Sequence, residues 1–127
     1  MNKLFLVGMG GFAGAILRYA LSGLVQNLSH SIAFPYGTLV VNMTGCFLMG
    51  ICYHLVEIQV GMTAEMRLLL MVGLLGSFTT YSTFSGETLQ LLQDQRVFAA
   101  LMNMGIHIVV GLSAVWLGRL AIIIIRG

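Results

Sequence analysis

The run Gly73-Leu74-Leu75-Gly76-Ser77-Phe78-Thr79-Thr80-Tyr81-Ser82-Thr83-Phe84-Ser85-Gly86-Glu87 decides how this chain folds. It lies within an apolar segment from about Ala64 to Leu92, more than the roughly 20 residues that a helix needs to cross a bilayer. Yet six Ser and Thr hydroxyls crowd into the nine residues from Ser77 to Ser85, with Tyr81 among them. At membrane depth, backbone that leaves the helix is tolerated only where protein or a water-filled cavity satisfies its N–H and C=O groups. Helices broken in this way supply ion sites, their freed carbonyls binding cations and their N-termini favouring anions. An unbroken Ser/Thr-rich helix bonded to its neighbours is the competing reading. So many hydroxyls exceed what helix packing requires, and they favour a break.

Working outward, three more apolar segments appear. The first runs from about Leu4 to Val25 and is interrupted only by Arg18. The second extends from Tyr36 to Val56, after the polar turn Gln26–Ser31 and the single proline, Pro35. The fourth reaches from Val97 to Ile125. The pattern predicts an all-α integral membrane protein, one domain over residues 1–127 with four transmembrane helices and both termini on one side. Composition agrees, because 58% of residues are hydrophobic, 8% are charged and the mean hydropathy is +0.97. A soluble domain carries about a quarter charged residues to wet its surface. No loop exceeds about ten residues, so no lid or soluble active site is expected.

Several function classes drop out on composition. The scattered net charge of +2 gives no footprint for nucleic acid. Cys46 and Cys52 stand six apart in one apolar run and face different directions on a helix, which predicts free thiols used in packing. The first segment contains Arg18 and ends without a small-residue cleavage site, so it reads as a span and not a cleaved signal. Gly8-Met9-Gly10-Gly11-Phe12-Ala13 has the dinucleotide-binding spacing but lacks the preceding strand, and the first acid is Glu57. No Ser-His-Asp arrangement, metal-ligand spacing or Walker loop occurs, so the chain does not read as an enzyme.

Charge also bears on orientation. Lys3, Arg67 and Arg126 fall on the terminal side and Arg96 on the other, a weak bias compared with the usual cytoplasmic excess. Insertion in both directions, and hence an antiparallel pair of identical chains, is compatible with it. Gly10 and Gly14 form a GxxxG, and glycines stud the other spans, which allows close helix packing either within one chain or between two.

Polar groups at depth are few. Arg18, Asn42, Asn103 and His107 must each face protein or water. Asn42 offers two N–H donors without a fixed charge, suited to a passing anion or to an interhelical bond. Asn103 and His107 share a helix face, and His107 reads as a hydrogen-bonded structural residue or a proton relay. Glu57, Glu65, Glu87 and Asp94 sit near span ends, so no carboxylate lies where a proton-coupled carrier would need it.

Gly11-Phe12-Ala13-Gly14-Ala15-Ile16-Leu17-Arg18-Tyr19, Gly37-Thr38-Leu39-Val40-Val41-Asn42 and Gly76 through Glu87 together resemble the fluoride-specific channel family, Fluc or CrcB. The resemblance covers three of the four spans in order, and its third motif is highly specific. It implies an antiparallel, dual-topology homodimer with two fluoride pores in the bacterial cytoplasmic (inner) membrane, exporting fluoride passively. It further implies a structural sodium ion at the dimer centre, held by the carbonyls of Gly76 and Thr79. By motif position Asn42 resembles the pore amide, Phe84 the second pore phenylalanine, and Ser82 and Thr83 the hydroxyls along the path. Arg18 resembles the family's first-span arginine, an electrostatic entrance for anions. Tyr81 stands where the family pattern has phenylalanine. It keeps an aromatic ring with an electropositive edge but adds a hydroxyl. A four-helix multidrug carrier is the main rival, but its first-span glutamate is missing here. A non-transporting membrane subunit is the other.

Overall fold

A computed structural model describes residues 2–127. Each apolar segment forms a helix, because a backbone surrounded by lipid must satisfy its polar groups within its own segment. Helix α1 spans Lys3–Ser29 and α2 spans Tyr36–Glu57. Next comes α3, over residues 64–78, then α4 at Tyr81–Gln93 and α5 at Val97–Arg126. Taken with α3 and α4 as one run, four helices among the described residues are long and apolar enough to cross a membrane.

The ends differ from the sequence expectation in one place. Residues 26–29 continue α1 where a polar turn was expected. They stay helical because Gln26 turns its amide to the loop, donating to the carbonyls of Ser31 and Phe34 and accepting the Gly37 N–H at 3.0 Å. Ser29 bonds back to the Gln26 carbonyl. On that same side Arg96 donates to the Ala33 carbonyl at 2.9 Å, tying the two loops together.

α2 packs mainly on α5, and α1 on α3, with α1 also touching α2 and α4 touching α5. The exterior is apolar: Leu4, Phe12, Leu112 and Ile124 are exposed, as suits a surface solvated by lipid. Small residues let the backbones meet. A side chain on Gly50 would strike the Val115 carbonyl, and one on Gly118 the Phe47 carbonyl, so α2 and α5 cross with almost no gap. Gly10 and Gly14 do the same for α1 against Leu69, Leu74 and Ser77 of α3. The GxxxG pair therefore serves packing within the chain.

α3 is not a plain α-helix. A single α-turn, Ala64–Met66, is capped by the Thr63 hydroxyl at the Met66 N–H, 3.2 Å away. A π-helical stretch, Arg67–Leu75, follows, and then a last α-turn, Gly76–Phe78. Such wider turns are rare and concentrate at functional sites. Cys46 and Cys52 are free thiols, both half-buried.

Candidate functional site: the helix break and its partners

The interruption falls at Thr79 and Thr80, not at a glycine. Thr79 has φ −88° and ψ 153°, and Thr80 has φ −150° and ψ 120°, both extended conformations that β-branched residues favour. A helix end leaves unpaired backbone groups, and a break creates two such ends face to face. Several of these groups are met by named partners. Thr79 donates its N–H and its hydroxyl to the Leu75 carbonyl at 3.1 and 3.0 Å. The Thr80 hydroxyl caps α4 by accepting the Thr83 N–H at 3.3 Å.

Two residues close the break from other helices. Arg18 donates through Nε to the Ser77 carbonyl at 3.1 Å. That places its charge at the C-terminal, negative end of α3, where a cation is favoured. Asn42, buried at 7% exposure, serves Thr80 twice: Oδ1 accepts the Thr80 N–H at 3.0 Å and Nδ2 donates to the Thr80 carbonyl at 3.3 Å. Its amide thus stands in for the missing peptide partner. Nδ2 also lies 3.2 Å from His107 Nε2 on α5.

The rerouted bonds free two carbonyls. In a continuous helix the Thr80 N–H would bond Gly76 and the Thr83 N–H would bond Thr79. Here those donors go to Asn42 and to the Thr80 hydroxyl. The carbonyls of Gly76 and Thr79 thus lose their in-helix donors at the break, hard oxygens of a kind that would fit a sodium ion.

Aromatic rings continue the site. The Phe84 ring lies 4.3 Å from the His107 ring and 5.8 Å from Tyr81. Tyr81 itself is 80% exposed, on the outer face. Asn42, Thr80, Tyr81, Phe84, Met104 and His107 line an open groove of about 640 Å³. Ser82 contacts the Thr80 hydroxyl at 3.2 Å, and Thr83 accepts from it at 3.3 Å.

The structure adds Thr88, which the sequence reading passed over, and gives partners to Thr38, Glu87 and Asn103. Thr38 donates to Glu87 at 2.7 Å, one helical turn from Asn42. Asn103, fully buried, donates to the Thr88 hydroxyl at 2.9 Å, and Thr88 in turn bonds the Phe84 carbonyl at 2.7 Å. The available signal was the four-residue spacing of Thr38 with Asn42, Phe84 with Thr88 and Asn103 with His107, each pair on one helix face.

Residues 5–119 match the profile of the family described as CrcB-like protein, Camphor Resistance (CrcB). The chain belongs to this CrcB-like family. A relative from Methanosarcina acetivorans, named fluoride-specific ion channel FluC 1, is 46% identical over 95% of this chain and 91% of its own length. One from Shewanella amazonensis, named fluoride-specific ion channel FluC, is 44% identical over 94% of both chains. A namesake from Nitratidesulfovibrio vulgaris is 36% identical over 93% of this chain and 94% of its own. The CrcB-like match takes in Arg18, Asn42, the break and His107 alike.

Proposed function

We propose that this chain forms a fluoride-selective channel that lets fluoride leave the cell passively across the cytoplasmic membrane. The activity is transport and not catalysis, in keeping with the channel names its relatives carry. The observation that carries the reading is the convergence of Asn42, Phe84 and the α4 N-terminus on one groove at the helix break. Fluoride is small and tightly hydrated, so a filter must replace water's donors with fixed ones at close range. Amide N–H, the hydroxyls of Ser82 and Thr83 and the aromatic edges of Tyr81 and Phe84 supply donors without a cation that would trap the ion. Hydrogen fluoride that enters from acid surroundings dissociates inside, and a negative membrane potential drives the anion back out.

The groove is open and Tyr81 on its rim is exposed, so a second surface is needed to enclose a path. A second copy in antiparallel orientation supplies it, in keeping with the weak charge bias across the membrane. The carbonyls of Gly76 and Thr79 would hold a structural sodium ion at the dimer centre, whose charge would offset the negative helix ends at the breaks. Arg18, engaged with Ser77, contributes positive potential beside the break.

The test is efflux of fluoride and of chloride from liposomes holding the purified protein, run in parallel at the same potential. Rapid fluoride release with negligible chloride release is expected. Silence for both ions, with Tyr81→Phe silent too, would favour a non-transporting subunit. Proton-driven uptake of organic cations would favour the multidrug carrier.

A further inference from the structure

Asn42 has two amide hydrogens, and both are engaged. One meets the Thr80 carbonyl at 3.3 Å and the other points to His107 Nε2 at 3.2 Å. Releasing the first would unpair the backbone at the break. Only the second can be given to an ion without opening the fold.

The His107 ring is set for this exchange. Its Nδ1 lies 2.9 Å from the Asn103 carbonyl, which can only accept, so Nδ1 carries the ring proton. Nε2 therefore presents a lone pair to Asn42, taking the place of an anion that would accept the same N–H. Phe84 packs against the ring with centroids 4.3 Å apart, and both rings line the groove.

We propose that His107 is a positioning residue that holds the second N–H of Asn42 in reserve, its Nε2 competing with fluoride for that donor. This rests on the fluoride-channel reading. Entry of the ion displaces Nε2, and departure of the ion lets the imidazole take the donor back. The donor is never left bare, so the empty groove costs little and the ion is released readily. Protonated at Nε2, the ring can no longer accept, and its new N–H converges with that of Asn42 on one point. Fluoride then binds more tightly. Other titratable groups near this ring are Cys46 and Tyr53 on α2 and Tyr81 on α4, all lining the same groove. Glu87 on α4 is turned to Thr38, and Arg119 on α5 to Glu57.

The experiment measures the half-saturating fluoride concentration for efflux in a pH series from 8 down to about 5, after subtraction of protein-free liposomes. His107→Leu removes the competitor, and half-saturation should fall about two- to tenfold at pH 8, the worth of one hydrogen bond. His107→Gln offers an amide oxygen in place of Nε2 and should restore the wild-type value at pH 8. Wild type should bind fluoride more tightly once the pH is low enough to protonate Nε2, and the Gln variant should not respond to pH. Equal half-saturation and equal pH response in wild type and both variants overturns the proposal. Independently of any variant, the ¹⁵N resonance of His107 Nε2 in the wild-type protein should move when fluoride is added and stay when chloride is. Conduction with an indifferent ring overturns this inference alone, whereas wild-type protein that conducts no fluoride overturns the channel reading with it.

Discussion

Replacing Asn42 with leucine removes three hydrogen bonds at once: to the Thr80 N–H, to the Thr80 carbonyl and to His107. The two backbone groups matter most, since an extended residue between two helix ends has no neighbour in its own segment to turn to. Leaving a buried polar group unpaired costs about 1–3 kcal/mol, so the pair costs about 2–6 kcal/mol. Against a total stability of about 5–15 kcal/mol, that is a large share. Asn42→Leu should therefore unfold at clearly milder conditions in detergent, followed by monodispersity during thermal or denaturant challenge. Fluoride efflux should disappear in the same preparation. Asn42→Asp is the informative control: it keeps an acceptor for the Thr80 N–H, has no donor for the Thr80 carbonyl, and adds a negative charge to the groove. It should recover part of the stability and none of the flux. If Asn42→Leu resists denaturation as wild type does and still conducts fluoride, the idea that this amide closes the break is wrong.

Gly118→Val drives a side chain into the Phe47 carbonyl and should lower stability by about 1–3 kcal/mol. Gly105→Ala, with open space around it, should be neutral or slightly stabilising in the same unfolding assay. Phe84→Ile keeps bulk but loses the aromatic edge and the ring contact with His107, and efflux should slow by at least about tenfold with the fold intact, as judged by size-exclusion profile. Arg119→Gln removes an exposed pair with Glu57 of 2.8 Å and should change stability by no more than about 1 kcal/mol, with efflux unaltered.

The four spans were legible because lipid imposes a length and an apolarity that few other constraints mimic. Their ends were legible to within a few residues, and α1 ran on to Ser29 because Gln26 found partners in the loop, a tertiary fact that local polarity conceals. The hydroxyl cluster pointed to a break in the third span, but not to its site. Gly73 and Gly76 remain helical, and the chain opens at two threonines whose extended preference is met by Asn42. Arg18 was read as an entrance charge from motif position alone, and its bond through Nε to the Ser77 carbonyl could not be read from the sequence. The link between Asn42 and His107 joins residues 65 positions apart and lies beyond any local pattern. Nothing in the composition of Arg67–Leu75 separates a π-helix from an α-helix.

The two outside partners of the break have a place in the order of synthesis. Arg18 and Asn42 both precede Ser77 and Thr80, by 59 and 38 residues respectively. When the third span reaches the membrane, the guanidinium and the amide that will receive its open ends have already been made and inserted. The span need not spend time in lipid with its backbone exposed, nor wait for the last helix. Moving either partner to a later position in the chain, as a circular permutation would, should slow insertion even where the finished fold is the same.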